Sequence, residues 1–414
     1  MNTKNSSFLA RGTYGCVFYP SINACTGKMD TDIDSDHYIT KIQKYTPNQN
    51  DEIEIGELLQ TLPLCDHYFA PVVKSCKIQT AKMDYKLVKT CRTMQNEFGE
   101  FEEKTSYVSN KIRYVGKQHI TAYMKSITNT PNQLYRKLIN THLHILDALQ
   151  LLSSENIVQF DIKPQNIMYD EIQDIPIIID FGLSRKMTPL LTPHFSPIKS
   201  ETALRRIFIS DETYDYWCID IFILSNIGND FLLKPHSEVS ENYIKLLLRG
   251  FLTPIFSASL TGEEVFQFKQ NIMSYFEPFI YNRQTWTDVF RTLIQNYATW
   301  DNYSAAMTYI YTYMKSKPTK SSSREPTEIQ EYLTILKHVI IAMPNERPLP
   351  ETTQKAIRDI FVRTTITPIT TIPEADVSQD DEGSNDEGFN EESLLQDIES
   401  SDEEDTIRPP TPIQ

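Results

Sequence analysis

The segment 158–182 constrains this chain more than any other part of it. Asp161, Lys163, Pro164 and Asn166 stand close together there, the apolar run Ile177–Ile179 follows, and Asp180-Phe181-Gly182 closes the stretch. Ile167–Tyr169 and Ile175–Ile179 flank a polar turn and read as a β-hairpin, so a hairpin lies between the two aspartates. Two carboxylates and an amide carried on loops around a hairpin form a chemical constellation, and the rest of the chain has to supply a scaffold for it.

That scaffold begins with strands. Tyr14–Tyr19 and Tyr38–Ile42 are short β-rich runs, followed by a helical pattern at Ile55, Leu58, Leu59 and Leu62. Ala70–Ile78, Ile112–Val115 and Ile120–Met124 read as further strands. Leu134–Leu152 repeats apolar residues at three- to four-residue steps, as an amphipathic helix does. After Trp217 the pattern is mostly helical to about Arg363. Strands first and helices later predict an α+β fold, with a small β-rich lobe over 1–124 and a larger helical lobe over 125–363. With 40% hydrophobic residues the chain can bury a large core.

Residues 364–414 are expected to form a disordered acidic tail. Fifteen acidic and no basic residues lie between Glu374 and Asp405, so the tail accounts for nearly all of the net charge of −15. Such a composition buries too little apolar surface to offset the entropy of ordering. Ser378, Ser384, Ser400 and Ser401 each precede an acidic residue by three positions, a pattern suited to acidophilic kinases. Ser393–Ile398 has the pattern of a short docking segment. Lys315–Glu328 is expected as a basic loop between helices. The six cysteines show no paired spacing, which argues against a disulfide framework or zinc site and for a reducing, intracellular setting. No apolar run approaches membrane-spanning length.

Phosphoryl transfer needs a carboxylate to orient and deprotonate the attacking hydroxyl, and oxygen ligands that hold Mg²⁺ on the nucleotide phosphates. Asp161 suits the first task, Asn166 and Asp180 the second. The motifs DIKPQN and IIIDFG resemble the catalytic loop and metal-binding motif of the eukaryotic-type protein kinases. The resemblance implies a bilobal fold that uses ATP and Mg²⁺ and acts on protein substrates; neither nucleic acid nor membrane is expected as a partner. Lys163, two residues after Asp161, resembles the lysine that contacts the γ-phosphate in Ser/Thr kinases.

The N-terminal stretch extends the resemblance. Leu9-Ala10-Arg11-Gly12-Thr13-Tyr14-Gly15-Cys16-Val17 is similar to the glycine-rich loop that covers ATP phosphates, with Ala10 where the first glycine would stand. Lys41 resembles the lysine on the α/β-phosphates, with Lys44 as a near competitor. The carboxylate that would hold Lys41 is Glu54 or Glu57, with Glu54 favoured because Leu58 follows it by four residues. Ile120–Met124 with Lys125-Ser126 resembles the last small-lobe strand and the hinge, where backbone groups would bind adenine between Leu9 and Val17. Asp215-Tyr216-Trp217-Cys218 looks like the D-x-W segment that opens the central helix of the large lobe. Asn345-Glu346-Arg347-Pro348 resembles the arginine signature near the end of the domain.

Three departures qualify the resemblance. Gln159 and Phe160 replace the family's His-Arg, so an arginine-bound activation phosphate is not available, although Thr188, Thr192 and Ser196 each precede proline. No Ala-Pro-Glu ends the activation segment, and Glu201 or Glu212 is the substitute partner for Arg347. The stretch 217–329 matches loosely, and its aromatic residues from Tyr275 to Tyr313 read as core. These departures resemble those of divergent Ser/Thr kinases of large DNA viruses. A pseudokinase scaffold and a small-molecule kinase of related fold remain the alternative readings.

Overall fold

A computed structural model describes residues 7–11, 15–22, 35–46, 48–79, 91, 106–127, 131–192, 204, 207–208, 214–229, 234–317 and 326–363. The expected tail, Glu201, Glu212, Ser196 and the tip of the glycine-rich loop (Gly12, Thr13, Tyr14) lie outside the described residues, as does most of the expected basic loop.

The N-terminal part is one antiparallel sheet. It is built from β1 (Ser7–Arg11), β2 (Gly15–Tyr19), β3 (Tyr38–Lys44), β5 (Val72–Gln79) and β6 (Ser106–Arg113), in the order β1-β2-β3-β6-β5. Strand alternation puts Cys16, Phe18 and Ile42 on one face, where they form a small core with Ile78, Cys91 and Tyr107. Cys16 is disulfide-bonded to Cys91, with Cα atoms 5.9 Å apart. This overturns the expectation of no disulfide: the two cysteines are 75 residues apart, and sequence spacing carries no information on a contact between segments so distant in the chain. Helix α1 (Asn48–Gln60) packs on β5, and Gly56 permits the close approach, because a Cβ there would lie 2.7 Å from the Val72 carbonyl oxygen.

The short helix α2 (Cys65–Tyr68) leads to β4 (Phe69–Ala70), which runs parallel to β9 (Ile175–Ile179). Strand β9 in turn pairs antiparallel with β8 (Ile167–Asp170), the hairpin expected from the sequence. A second small pair joins β7 (Ile157–Val158) to β10 (Arg185–Lys186). Together these pairs fix both ends of the segment 158–182.

The expected strand at Ile120–Met124 is instead helix α3 (Ile120–Ser126). Ile120, Thr121 and Met124 are buried, a helical spacing, and His119 caps the helix by accepting from the Ala122 N–H. Five apolar or small residues fit either period, and here packing against the helical lobe decides. The last strand of the sheet in chain order is therefore β6, and the segment 114–118 connects it to α3. Helix α4 (Pro131–Ser154) buries Leu134, Leu138, Ile145, Leu149 and Leu152 as its periodicity predicts.

The remaining helices are α5 (Ile219–Asn229), α6 (Glu241–Phe251), α7 (Pro254–Ser259), α8 (Gly262–Tyr281), α9 (Trp286–Leu293), α10 (Trp300–Ser316), α11 (Thr327–Ile341) and α12 (Pro350–Arg363). Helix α10 is buried on nearly every side, lying against α3, α4 and α11. Trp286, Trp300, Tyr303 and Tyr309 are buried, so much of the aromatic stretch is core, as expected, whereas Tyr281 is exposed. The architecture is α+β, with a sheet-rich N-terminal part and a helical C-terminal part. Among the described residues no helix is long and apolar enough to cross a membrane.

Candidate active site

The site forms where β3, α1, the loop 159–166 and the residues after β9 converge. Lys41 Nζ donates to Asp180 Oδ1 at 2.8 Å and lies 3.7 Å from Glu52 Oε1. Burial alone would lower the Lys41 pKa, but the Asp180 and Glu52 carboxylates outweigh it and hold it above the usual range. The same lysine keeps the Asp180 carboxyl below its ordinary range against the opposing effect of burial. Asp180 has a φ of 57°, in the left-handed region, and its Oδ1 also accepts from the Gly182 N–H at 3.2 Å. Phe181 is buried against Phe69, with ring centroids 5.9 Å apart.

The partner of Lys41 is thus Glu52, not Glu54 or Glu57, both of which are exposed. Helix α1 buries Glu52, Ile55, Gly56 and Leu59, the i, i+3, i+4, i+7 stripe that faces the protein. The expectation anchored the glutamate on Leu58, which is only half-buried. Gln43 on β3 donates to Glu52 Oε2 at 2.8 Å and orients it. Burial raises the Glu52 pKa, and Lys41 opposes the rise.

Asp161 and Asn166 are bound to each other. Asn166 Nδ2 donates to Asp161 Oδ2 at 2.6 Å and to the Asp161 carbonyl at 3.0 Å, which leaves the amide oxygen as its acceptor. Lys163 Nζ lies 3.1 Å from Asp161 Oδ1, and the Tyr214 hydroxyl donates to that same oxygen. Burial raises the Asp161 pKa, with Lys163 pulling the other way. A raised value keeps a carboxylate closer to the range in which it can take a proton.

Several residues that hold this geometry escape a reading by motif. Gln159 bridges the two aspartates: its Nε2 donates to the Asp180 carbonyl at 2.8 Å and its Oε1 accepts from the Asp161 N–H at 2.6 Å. Phe160 turns through a φ of 65° into an aromatic cluster with Phe208 and Trp300. Asp301, buried on α10, accepts from the N–H groups of Gln159 at 2.7 Å and Phe160 at 3.1 Å. Asp301 therefore binds the backbone of the loop 159–166 from the helical core. Trp217 Nε1 adds a bond to the Phe160 carbonyl at 2.8 Å. Arg347 pairs with Asp220 at 2.7 Å, and both side chains are excluded from solvent. Asp220 is thus a partner of Arg347, and Glu201 and Glu212, the partners expected from the sequence, lie outside the described residues.

The glycine-rich segment is described at its edges. Ala10 pairs with Val17 and Arg11 with Cys16 across the hairpin. Leu9 and Ala10 are exposed, and Val17 is half-buried opposite Lys41. Cys16 faces the opposite side of the sheet, in the disulfide, so its side chain is not toward Lys41. Gly15 answers to sheet packing: a Cβ there would lie 2.2 Å from the Ile42 carbonyl oxygen. The segment expected as hinge, Lys125-Ser126, ends α3, while 114–118 makes the crossing between sheet and helices.

The donor set suits a hard divalent cation. Asp180 keeps a side chain 39% exposed and engages Lys41 and Gly182 through Oδ1, leaving Oδ2 for another ligand, as the Asn166 amide keeps its oxygen. A carboxylate and an amide oxygen are the ligand types Mg²⁺ takes, with the remainder from water and phosphate.

A lysine held by two carboxylates thus lies in one site with a further carboxylate, an amide and a second lysine. Residues 72–249 match the family model described as Protein kinase domain. The match supports the eukaryotic-type protein kinase family and phosphotransfer activity in general. It includes Asp161, Lys163, Asn166 and Asp180, whereas Lys41 and Glu52 precede it.

Proposed function

We propose that the chain is a protein kinase that transfers the γ-phosphoryl group of ATP to Ser or Thr hydroxyls of protein substrates. The observation that carries this reading is the convergence of Lys41, Glu52 and Asp180 with Asp161, Lys163 and Asn166 in one site.

Asp161 orients the acceptor hydroxyl and takes its proton as the bond to phosphorus forms. Lys41 binds the α- and β-phosphates while Glu52 holds its ammonium in place. Lys163 neutralises charge on the transferred group. Asn166 and Asp180 would hold Mg²⁺, which supplies charge neutralisation on the phosphates. Leu9 and Val17 pack on adenine, and the backbone of 114–118 supplies its hydrogen bonds. Phe160 offers no cation for an activation phosphate, so the loop geometry rests instead on Asp301 and Trp217. The acidic tail is a docking segment or a target of other kinases.

Phosphoamino-acid analysis of a labelled acceptor protein tests the reading. Phosphoserine or phosphothreonine that depends on Mg²⁺ and disappears in Asp161→Asn supports it. ATP binding without transfer identifies a pseudokinase scaffold, and label on a small alcohol or amine alone identifies a small-molecule kinase.

A further inference from the structure

The base of the site already holds a hydroxyl, and that hydroxyl belongs to the chain itself. Tyr214 Oη donates to Asp161 Oδ1, the oxygen that also contacts Lys163. The other oxygen, Oδ2, is taken by Asn166. The Tyr214 ring is fixed from behind by Trp217, with centroids 4.7 Å apart, and by the edge of Tyr216 at 5.9 Å. Trp217 is itself bonded to the Phe160 carbonyl, so the platform under Tyr214 is tied to the loop that carries Asp161. Lys163 Nζ stands 5.6 Å from the ring centroid.

A general base acts on a proton within its hydrogen-bond reach. In this structure the phenol of Tyr214 offers Asp161 such a proton, with Lys163 beside it. We propose that Tyr214 is an acceptor of the enzyme's own phosphoryl group, transferred within a single molecule. The proposal rests on the kinase reading above.

The step balances without a further reactant. Tyr214 Oη attacks the γ-phosphorus of ATP and an Oη–P bond forms. The bond from the γ-phosphorus to the β,γ-bridging oxygen breaks, ADP leaves with the electron pair, and the phenol proton passes to the Asp161 carboxylate. The product is a phosphotyrosine carrying about −1.5 to −2 charges at neutral pH. Such a group beside Asp161 is repelled once the proton has left. The modified side chain therefore vacates the base, and the acceptor hydroxyl of a protein substrate takes its seat. Self-modification at Tyr214 is in this sense a priming turnover that clears the site.

The test uses the full chain, treated with phosphatase and then given ATP and Mg²⁺, with phosphosites mapped by mass spectrometry over time. Phosphate is expected on Tyr214, at a rate constant unchanged over about 100-fold dilution of the protein, because an intramolecular step is first order. It should be absent in Asp161→Asn, lost in Tyr214→Phe and retained in Tyr216→Phe. Transfer to an external protein should show a lag that prior incubation with ATP abolishes. An unmodified Tyr214 in an enzyme that phosphorylates external Ser or Thr overturns the proposal and leaves the kinase reading intact. A Tyr214 rate proportional to enzyme concentration also overturns it. Absence of transfer to any acceptor overturns the kinase reading, and the proposal with it.

Discussion

Asp301 holds Phe160 in a left-handed backbone conformation: its Oδ1 accepts from the Phe160 N–H at 3.1 Å, where φ is 65°. That conformation is uncommon for a bulky side chain and persists only where its surroundings impose it. With Oδ2 on Gln159, one buried carboxylate sets the path of the chain into Asp161. Burial raises the Asp301 pKa to about 6, against the two N–H groups that lower it.

Asp301→Ala leaves two buried N–H groups without their acceptor, each at a cost of about 1–3 kcal/mol. Urea unfolding should show a loss of about 2–6 kcal/mol, and the rate of phosphotransfer should fall by roughly 10- to 100-fold, because Asp161 loses its fixed position. Unchanged stability and rate would mean that the loop is held by other contacts.

Glu52 and Glu54 separate by function. Glu52→Gln removes a charge from Lys41 and should lower phosphotransfer by at least about tenfold. Glu54→Gln, on the exposed face of α1, should leave the rate within about twofold, which corresponds to less than about 0.5 kcal/mol. Steady-state assays of the two variants against ATP decide the matter, and the reverse order would restore the sequence-based expectation.

The ion pair of Asp220 and Arg347 is solvent-excluded on both sides, and Trp300 Nε1 also donates to Asp220 at 3.2 Å. Removing one partner strands the other charge, so Asp220→Ala should destabilise the protein by about 3–5 kcal/mol. Arg347→Met combined with Asp220→Leu should recover much of that loss, since a buried pair is often replaceable by apolar residues. Denaturant titration of the single and double variants provides the comparison.

Acid should destabilise the protein through its buried histidines. Burial lowers the pKa of His142 to about 3 and of His144 to about 4, from an ordinary 6.5. Between those values the unfolded chain binds protons that the folded chain does not, so stability falls as pH drops below about 6.5, by up to about 1.4 kcal/mol per unit for each histidine. Asp301, Glu52 and Asp161 work in the opposite sense, because their folded forms bind the proton more readily. Stability measured from pH 7 to 5 should therefore fall more steeply, or rise less, in wild type than in His142→Gln.

What sequence could reveal here was local. The loop 161–166, the hairpin and Asp180 lie in one segment, and Lys41 sits on a strand of clear pattern, so the core of the site was legible. Glu52 was within reach of the same reasoning, since it shares a helical stripe with Ile55 and Leu59, but Leu58 gave a competing anchor. Asp301 and Asp220 reach their partners over 142 and 80 or more residues, and nothing in their own neighbourhoods announces those contacts. Ile120–Met124 failed because five residues do not determine a period when burial decides. The Cys16–Cys91 bond escaped for the same reason as Asp301: it is made in space, between residues 75 apart in the chain.

The most direct test of the central claim is a single-turnover measurement with γ-labelled ATP and excess enzyme, with nucleotide binding followed in parallel. Wild type is predicted to bind ATP with Mg²⁺ and to pass the label to protein hydroxyls. Asp161→Asn should bind nucleotide but lose transfer by about 100-fold or more, the scale of a general-base contribution, while Asp180→Ala should lose the Mg²⁺ dependence of binding as well. Equal transfer by wild type and Asp161→Asn, or no transfer by wild type despite bound ATP, would contradict the account.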